Sequence, residues 1–340
     1  MRTRTLGLTG EELTTIGLGT WALGGGDWAY GWGPQEDAKS IEAIHRALDL
    51  GINWIDTARI YGLGHAEEVV GKAIGGRRRD IFLATKCSRW WDADGKIYGK
   101  LDAASVRDEC ESSLRRLKVD VIDLYQIHWP YPRDQVEEGW TTIAELISEG
   151  KVRYGGVSNF NLEQLKRVQA IHPVASLQPP YNMMRRDVEN EILPYCAEND
   201  IGVLAYSPMM SGLLTGKYGH KAVDDLPDED WRRKSPHFQE PERSTNFELA
   251  DRLKPIAERN HLTLSQLSIA WVLRRDDVTS AIVGARRADQ IEETAPAGDA
   301  ILPTDDIQEI AELLDWRDAA LLRAAQSDGE EVVHPSSRQV

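Results

Sequence analysis

The chain has few cysteines and no long apolar run. Cys87, Cys110 and Cys196 lie far apart and form no CxxC pair among the 340 residues. Such usage is typical of a reduced protein and argues against a disulfide framework. No apolar stretch approaches the ~20 residues that cross a bilayer, and the initial MRTRTLGLTG lacks the apolar core of a secretory signal. The sequence therefore predicts a cytoplasmic protein with no membrane partner.

Positive charge is also scarce. The chain has 40 Lys and Arg residues against 55 Asp and Glu residues, which gives a formal net charge of −15. This balance opposes nonspecific binding to nucleic acid, because a phosphate backbone attracts a basic face, so no nucleic-acid partner is expected. A small anion can still bind in a local basic pocket. The 8 histidines are dispersed without the HxH pair of a metal-dependent barrel hydrolase, so no metal site is predicted.

Short β-rich runs that end in polar or glycine residues alternate with segments of helical apolar spacing. Examples of the helical segments are DAKSIEAIHRALDLG, SVRDECESSLRRL, VEEGWTTIAELISEG and LTLSQLSIAWVLRR. The predicted strands are 14–20, 52–58, 81–86, 121–128, 152–159, 174–180, 202–208 and 280–285. Eight strands that alternate with helices predict an α/β protein with a single-domain (β/α)8 TIM barrel.

Three additions to this barrel are predicted. TRTLGLTGEELTT indicates an N-terminal hairpin around Gly10 that covers the barrel floor. The irregular residues 208–245 form a long loop after the seventh strand, and we interpret this loop as an active-site lid. A C-terminal helical extension begins near Pro303. We assign residues 1–325 to the barrel and residues 326–340 to a polar C-terminal tail.

Four polar residues lie at or just after the carboxyl ends of successive strands, where barrels of this type place their chemistry. Asp56 ends the second strand, Tyr61 follows in its loop, Lys86 ends the third strand and His128 ends the fourth. Each residue alone is more often structural, but the set suits proton delivery to a carbonyl oxygen as a hydride reaches its carbon. A phenol has a pKa of about 10, which a nearby cation lowers by roughly 1 to 3 units. We therefore interpret Tyr61 as the acid, Lys86 as the cation held charged by Asp56, and neutral His128 as the residue that orients the carbonyl.

The motifs DTARIYG, LATK, QIHWP, GGVSNF and AYSP occur in this order on the predicted elements. They resemble the signatures of the aldo-keto reductase superfamily, and GLGTWALGGG is similar to its first strand and loop. The resemblance covers residues 13 to about 316 and is nearest to the bacterial branch related to potassium-channel β subunits. It implies an NADPH-dependent oxidoreductase that reduces aldehydes or ketones through Asp56, Tyr61, Lys86 and His128. The channel relation leaves open an NADP(H)-binding regulatory or sensor subunit with slow turnover.

The resemblance also implies an NADPH site without a Rossmann fold, in agreement with the lack of a GxGxxG after any predicted strand. Ser158, Asn159 and Gln178 match positions that hold the nicotinamide carboxamide, and Tyr206 matches the position that stacks on its ring. The pyrophosphate positions are Ser207, Gly212, Leu213 and Lys217, the adenosine positions are Gly284, Arg286, Gln290 and Glu293, and further cofactor contacts are Gly19, Thr20, Trp21, Asp56 and Pro208. Arg286 is the candidate reader of the 2′-phosphate.

Aromatic residues are concentrated in segments that leave the predicted catalytic face, in a chain with 11 Trp and only 4 Phe. The predicted substrate-binding residues are Trp21, Trp32, Tyr61, Trp90, His128 and Trp129. Such walls favour a small carbonyl substrate, an aromatic or medium-chain aldehyde, although several tryptophans could instead pack beneath loops. Arg59 is expected to point to solvent, and the alternative is a charge near Tyr61 that attracts an acidic substrate. Cys87 is expected to be a packed thiol.

Overall fold

A computed structural model describes residues 1–26, 28–217, 219, 223–226 and 230–327. Eight parallel strands form the barrel. They are Ile16–Gly19 (β3), Trp54–Asp56 (β4), Phe82–Cys87 (β5), Ile122–Ile127 (β8), Val152–Ser158 (β9), Ser176–Gln178 (β10), Gly202–Ala205 (β11) and Ser280–Gly284 (β12). The barrel closes in this order, because β12 pairs with β3. The other strands form two hairpins, Thr3–Thr5 (β1) with Glu12–Thr14 (β2) and Arg89–Trp91 (β6) with Ile97–Gly99 (β7). The predicted TIM barrel is confirmed, and its strands lie within the predicted ranges to within one residue.

Helices pack around the barrel because their apolar faces are spaced to meet the outward side chains of the strands. The described helices are Asp37–Asp49 (α1), His65–Ile74 (α2), Ala103–Leu117 (α3), Val136–Ser148 (α4), Leu162–Gln169 (α5), Ile192–Glu198 (α6), Glu242–Arg259 (α7), Leu264–Leu273 (α8), Ala288–Thr294 (α9) and Thr304–Ser327 (α10). Both α7 and α8 lie between β11 and β12, so the helices and strands do not alternate strictly there. No helix in the described ranges is long and apolar enough to cross a membrane.

The N-terminal hairpin closes the barrel floor, as predicted. Leu6 and Leu13 are buried at 0% and 1% exposure and belong to one apolar cluster with Trp54, Leu124 and Ile282 inside the barrel. Because these side chains fill the lower end of the barrel, the opposite end at the carboxyl termini of the strands remains available for chemistry.

The lid and the tail differ in part from the prediction. The described parts of residues 208–245 contain the short 3-10 turns Met210–Thr215 and Trp231–Lys234, and α7 already begins within the predicted irregular stretch. Helix α10 extends to Ser327 and so enters the segment predicted as a tail. The rest of that tail, 328–340, lies outside the described residues, as do the lid positions 218, 220–222 and 227–229.

Candidate active site

A buried ion pair lies at the carboxyl ends of β4 and β5. Lys86 Nζ is 2.6 Å from Asp56 Oδ2 and also donates a hydrogen bond to Thr57 O at 2.8 Å. Both side chains are almost fully buried, at 1% exposure for Lys86 and 2% for Asp56. The other oxygen, Asp56 Oδ1, accepts a hydrogen bond from Gln178 Nε2 at 2.8 Å across the barrel. The predicted pair is therefore formed, and Gln178 holds the carboxylate from the opposite side.

Tyr61 lies over this pair. Its hydroxyl oxygen accepts a hydrogen bond from Lys86 Nζ at 3.3 Å. The ring of His128 lies edge-on to the ring of Tyr61, with centroids 5.7 Å apart and an interplanar angle of 82°. The structure thus brings together all four predicted catalytic residues, with the phenol between the cation and the imidazole.

Two glycines fix the loop that carries Tyr61. Gly62, the next residue, has a φ of 60° and lies against the backbone of Gly24 in the loop after β3. A Cβ at Gly62 would lie 2.1 Å from Gly24 O, and a Cβ at Gly24 would lie 2.6 Å from Gly62 N. No larger residue fits either position, so this contact holds Tyr61 close to the loop that also carries Trp21 and Trp28.

The pKa values of the site differ from one expectation. Burial raises the pKa of Tyr61 well above its ordinary value, and the negative charge of Asp56 adds to the rise. The predicted lowering by Lys86 is therefore outweighed, because that ammonium group is itself neutralised by Asp56 at 2.6 Å. Burial also lowers the pKa of Lys86. For His128, burial and the positive charges of Lys86 and Arg89 lower the pKa well below its usual range, in agreement with the predicted neutral imidazole.

The residues predicted around the nicotinamide lie together at the ends of β9, β10 and β11. Ser158 Oγ donates to Gln178 O at 2.8 Å, and Tyr206 OH donates to Asn159 Oδ1 at 2.8 Å. Asn159, with a φ of 62°, donates from Nδ2 to His128 O at 2.9 Å. These contacts form one continuous polar rim that begins beside His128.

The backbone at the end of β12 is open. Gly284 pairs with Gly19 of β3, and a Cβ placed at Gly284 would meet only Gly19 O, at 3.9 Å. Thr20, the next residue after Gly19, is buried. Its hydroxyl donates a hydrogen bond to Asp56 O at 3.1 Å and so has a partner within the protein. The polar rim at one side and the uncovered strand end at the other fit a nicotinamide dinucleotide.

Arg286 lies next to this open strand end, but its guanidinium is engaged. Nε donates to Gln35 Oε1 at 2.8 Å, Nη1 donates to Trp32 O at 2.9 Å, and Nη2 donates to Pro34 O. Its backbone N–H donates to Gln290 Oε1 at 2.7 Å. Arg286 therefore links β12 to the loop before α1, and these contacts hold its guanidinium beside the open strand end.

Most of the remaining predicted cofactor residues lie in the segment that follows β11. Leu213 and Pro208 are buried. Lys217 Nζ is 2.5 Å from Glu293 Oε2, and this ion pair joins the start of the lid to α9. Positive φ angles occur at Ser207 (56°), Met210 (47°), Ser211 (53°) and Gly212 (99°) in the intervening turn.

An aromatic group surrounds Tyr61 on the outer side. The Trp21 ring is stacked with Tyr61 at 6.4 Å and with Trp231 at 5.4 Å, both at 24°. Trp32 meets Trp21 edge-on at 5.4 Å, and Trp28 lies 6.3 Å from Tyr61. The predicted Trp21 and Trp32 are therefore beside the catalytic phenol, while Trp28 and Trp231 complete the wall.

Trp231 was missed because it lies in the lid, whose position depends on contacts distant in sequence. Its neighbour Arg232 is paired with Asp230, with Nη2 2.6 Å from Oδ2, and its guanidinium lies 4.6 Å above the Trp32 ring. These contacts hold the Trp231 end of the lid against the predicted substrate wall.

Trp90 and Trp129 do not join this aromatic group. Trp90 Nε1 donates to Glu109 Oε1 on α3 at 2.7 Å, and the backbone N–H of Trp129 donates to Ser88 Oγ at 3.1 Å. Within the described residues, neither ring stacks on Tyr61. Trp90 therefore corresponds to the alternative of packing beneath a loop.

The expectation that Arg59 points to solvent is wrong. Its side chain is 7% exposed, with the guanidinium 4.4 Å from the Trp90 ring centroid and 4.2 Å from that of Trp91. Arg59 Nη1 is 3.6 Å from Glu109 Oε2, and Glu109 is completely buried. Burial raises the pKa of Glu109 to about 8, although Arg59 opposes this rise.

The β6–β7 hairpin that covers Arg59 was also missed, although the sequence contains a signal for it. In RWWDADGKIYG, the side chain of Asp92 accepts hydrogen bonds from Asp94 N at 3.0 Å and Lys96 N at 2.9 Å, and Gly95 has a φ of 75°. An Asp and Gly turn between β-forming residues favours a hairpin. Cys87 at the end of β5 is a buried free thiol, as predicted.

The chain matches a known protein family over most of its length. Residues 15–315 match the model of the aldo/keto reductase family. The chain is 38% identical over 310 residues to "Aldo-keto reductase YhdN" of Bacillus subtilis, covering 90% of this chain and 92% of that protein. It is 33% identical over 327 residues to "NADH-specific methylglyoxal reductase" of Escherichia coli, covering 91% of this chain and 98% of that protein.

A solved structure shares the whole architecture. The glycerol dehydrogenase AKR11B4 from Gluconobacter oxydans superposes with a TM-score of 0.84 at 35% sequence identity, covering 93% of this chain and 95% of that chain. The barrel architecture is therefore shared with this solved structure. On the strength of the matched residues 15–315 and of these relatives, the chain belongs to the aldo/keto reductase family.

Proposed function

We propose that this protein reduces aldehydes or ketones to alcohols with NADPH, and that Tyr61 is the general acid. The observation that carries the proposal is the Tyr61 hydroxyl, which lies 3.3 Å from Lys86 Nζ and beside the ring of His128. A reduced nicotinamide, when bound, would supply the hydride that the carbonyl carbon accepts. Tyr61 donates its proton to the carbonyl oxygen, and the ammonium group of Lys86, 3.3 Å from the Tyr61 oxygen, stabilises the phenolate until solvent returns the proton.

The raised pKa of Tyr61 determines which form of the phenol is present. Burial keeps the phenol protonated, and a protonated phenol can donate to an oxygen that develops alkoxide character. The reverse reaction needs the phenolate, which burial opposes. His128 stays neutral, so it can donate one hydrogen bond to the carbonyl without placing a second cation beside Lys86.

The choice of NADPH rests on Arg286, next to the open backbone at Gly284. A guanidinium suits a 2′-phosphate because its planar donors match the phosphate oxygens. One relative is named as NADH-specific, so the family includes both choices. The aromatic wall around Tyr61 supports aromatic aldehydes as substrates.

Tyr61→Phe tests the proposal. A panel of aldehydes and ketones is followed by the absorbance of NADPH, and NADPH binding is measured separately. We expect the variant to lose about 10² to 10⁴-fold in rate, because one proton donor is removed, and to bind NADPH as the wild type does. Tyr195→Phe on the outer helix α6 is the matched control and should keep full activity. A Tyr61→Phe rate within a factor of two of wild type would exclude Tyr61 as the acid.

The same assay separates an enzyme from a regulatory subunit. Repeated turnover with at least one aldehyde supports the reductase. A cofactor that stays bound through gel filtration, with a single slow oxidation and no steady state, would instead support a sensor.

A further inference from the structure

Arg89 is a half-buried cation at the catalytic end of the barrel. Ser88, with a φ of 83°, turns the chain out of β5, and Arg89 begins β6 directly after it. The backbone position is fixed, because Arg89 O accepts a hydrogen bond from Arg59 Nη1 at 3.3 Å and Arg89 pairs with Gly99 of β7. Its guanidinium makes no hydrogen bond or ion pair to any other residue that the structure describes.

The position of Arg89 follows from its neighbours in the chain. Trp90, the next residue, directs its indole N–H to Glu109 on α3. Ser88 Oγ, one residue before Arg89, binds both Trp129 N and Trp129 O at 3.1 Å, so β6 starts beside the strand end that carries His128.

Electrostatic effects agree with this placement. The positive charge of Arg89 contributes to the lowered pKa of His128. Burial lowers the pKa of Arg89 itself, and Tyr30 is the nearby group that opposes this shift. Tyr30 lies 5.9 Å from Trp28, and Trp28 lies 6.3 Å from Tyr61, so Arg89 shares its surroundings with the substrate wall.

The guanidinium groups of other arginines around the site have partners within the protein. Arg59 lies 3.6 Å from Glu109, Arg232 lies 2.6 Å from Asp230, and Arg286 donates to three oxygens of the loop before α1. In a protein with a formal net charge of −15, a guanidinium without a hydrogen-bond or ion-pair partner among the described residues is a local attraction for anions.

We propose that Arg89 is a specificity-determining residue that binds the carboxylate of an acidic carbonyl substrate, such as an aromatic aldehyde acid. This inference rests on the proposed reductase function. A single guanidinium has one charge and a planar pair of donors that matches one carboxylate. The aromatic wall binds the ring between the two ends, and the carbonyl reaches Tyr61 and His128. Arg89 thus takes the role that the sequence had left open for Arg59.

The test compares two aldehydes that differ only in charge, 4-carboxybenzaldehyde and its methyl ester. In Arg89→Gln, we expect kcat/KM for the acid to fall about tenfold to hundredfold, mainly through KM, since a charge-assisted hydrogen bond is lost. The ester should change far less than the acid. Arg89→Lys should recover part of the loss because it keeps the charge but not the planar fork. In the wild type, kcat/KM for the acid should fall as salt rises.

Arg79→Gln is the matched control, because Arg79 is exposed and lies before the amino end of β5, at the far end of the barrel. It should leave the ratio of acid to ester unchanged. The proposal is overturned if Arg89→Gln weakens both aldehydes equally, or if Arg79→Gln lowers the ratio as much. If Arg89→Gln lowers kcat/KM for glyceraldehyde 3-phosphate and leaves that for 4-carboxybenzaldehyde unchanged, Arg89 binds a phosphate and the proposed carboxylate specificity is wrong.

A binding measurement separates this inference from the catalytic proposal. With saturating NADP⁺, which cannot reduce the aldehyde, binding of 4-carboxybenzaldehyde is titrated by tryptophan fluorescence. Arg89→Gln should weaken this binding in the wild-type and in the Tyr61→Phe background alike. If Tyr61→Phe remains active while Arg89 controls acid binding, only the mechanism fails. If acid binding is independent of Arg89, only the specificity inference fails.

Discussion

The buried carboxyl group of Glu109 predicts a specific dependence of stability on pH. Glu109 is completely buried on α3, and its Oε1 accepts hydrogen bonds from Ser88 N at 3.2 Å and from Trp90 Nε1 at 2.7 Å. Arg59 Nη1 is the nearest cation, 3.6 Å from Oε2. Glu109→Gln keeps the shape of the protonated acid but cannot ionise, so it isolates the effect of the charge.

The sign follows from the direction of the pKa shift. Burial raises the pKa of Glu109 from 4.5 to about 8 in the folded protein. Between these values the folded state holds a proton that the unfolded state has lost, so a rise in pH favours unfolding. The stabilising effect is fully present below the unfolded pKa and is lost as the pH rises through the folded pKa. The slope is about 1.4 kcal/mol per pH unit, and the change between pH 5 and pH 7 is about 2.5 kcal/mol.

Urea unfolding at constant ionic strength measures this effect by fluorescence and circular dichroism at pH 5, 6 and 7. The free energy of unfolding of the wild type, minus that of Glu109→Gln, should fall by about 2.5 kcal/mol across this range. Asp108→Asn, at an exposed neighbouring position on α3, is the control and should follow the wild type. A difference independent of pH would show that Glu109 is ionised throughout as the partner of Arg59, and would refute the reasoning.

Three further predictions concern the site. Lys86→Met should lower the reduction rate by at least about 100-fold. It should also destabilise the protein by roughly 3 to 5 kcal/mol, because it breaks the buried ion pair with Asp56. Full activity in a folded Lys86→Met variant would show that Lys86 has only a structural role. Arg286→Ala should weaken NADPH about tenfold to hundredfold and NADH little, as measured by fluorescence quenching, whereas equal losses would show that Arg286 does not read the phosphate. Trp231→Ala removes the ring contacts with Trp21 at 5.4 Å and with Trp32 at 5.8 Å. The KM for benzaldehyde should therefore rise about tenfold, and the KM for acetaldehyde should rise much less. Equal changes for the two aldehydes would place Trp231 outside the substrate site.

The barrel and the four catalytic residues could be predicted because both depend on short-range patterns. Alternating strand and helix periods indicate parallel strands, and parallel strands place their carboxyl ends at one end of the barrel. Asp56 ends β4, Lys86 is the penultimate residue of β5 and His128 directly follows β8, so their proximity follows from the topology. The N-terminal hairpin was predicted for the same reason, since its turn and its strands are contiguous in sequence.

Partners of long side chains could not be predicted, because they depend on which distant elements cover them. The sequence alone placed Arg59 toward solvent, but two indoles of the β6–β7 hairpin and Glu109 of α3 enclose it. The predicted direction of the Tyr61 pKa shift, a lowering by Lys86, was wrong for a related reason. The cation that should lower the pKa was identified, but its compensation by Asp56 and the burial of the phenol were not weighed against it.

The arginines near the catalytic site show that the role of a positive charge can be inferred only after the groups that contact it are known. Arg59, Arg232 and Arg286 are close to the site in space, yet each is engaged by the protein and supports the structure of a hairpin, the lid or the loop before α1. A buried or half-buried cation that the fold does not neutralise carries a desolvation cost, and a bound anion can offset that cost. The Arg89 guanidinium has no hydrogen-bond or ion-pair partner in the part of the chain that the structure describes, and its charge helps to lower the pKa of His128. The same aromatic wall can therefore discriminate between aldehydes by charge as well as by shape, with Tyr61 acting on the carbonyl in either case.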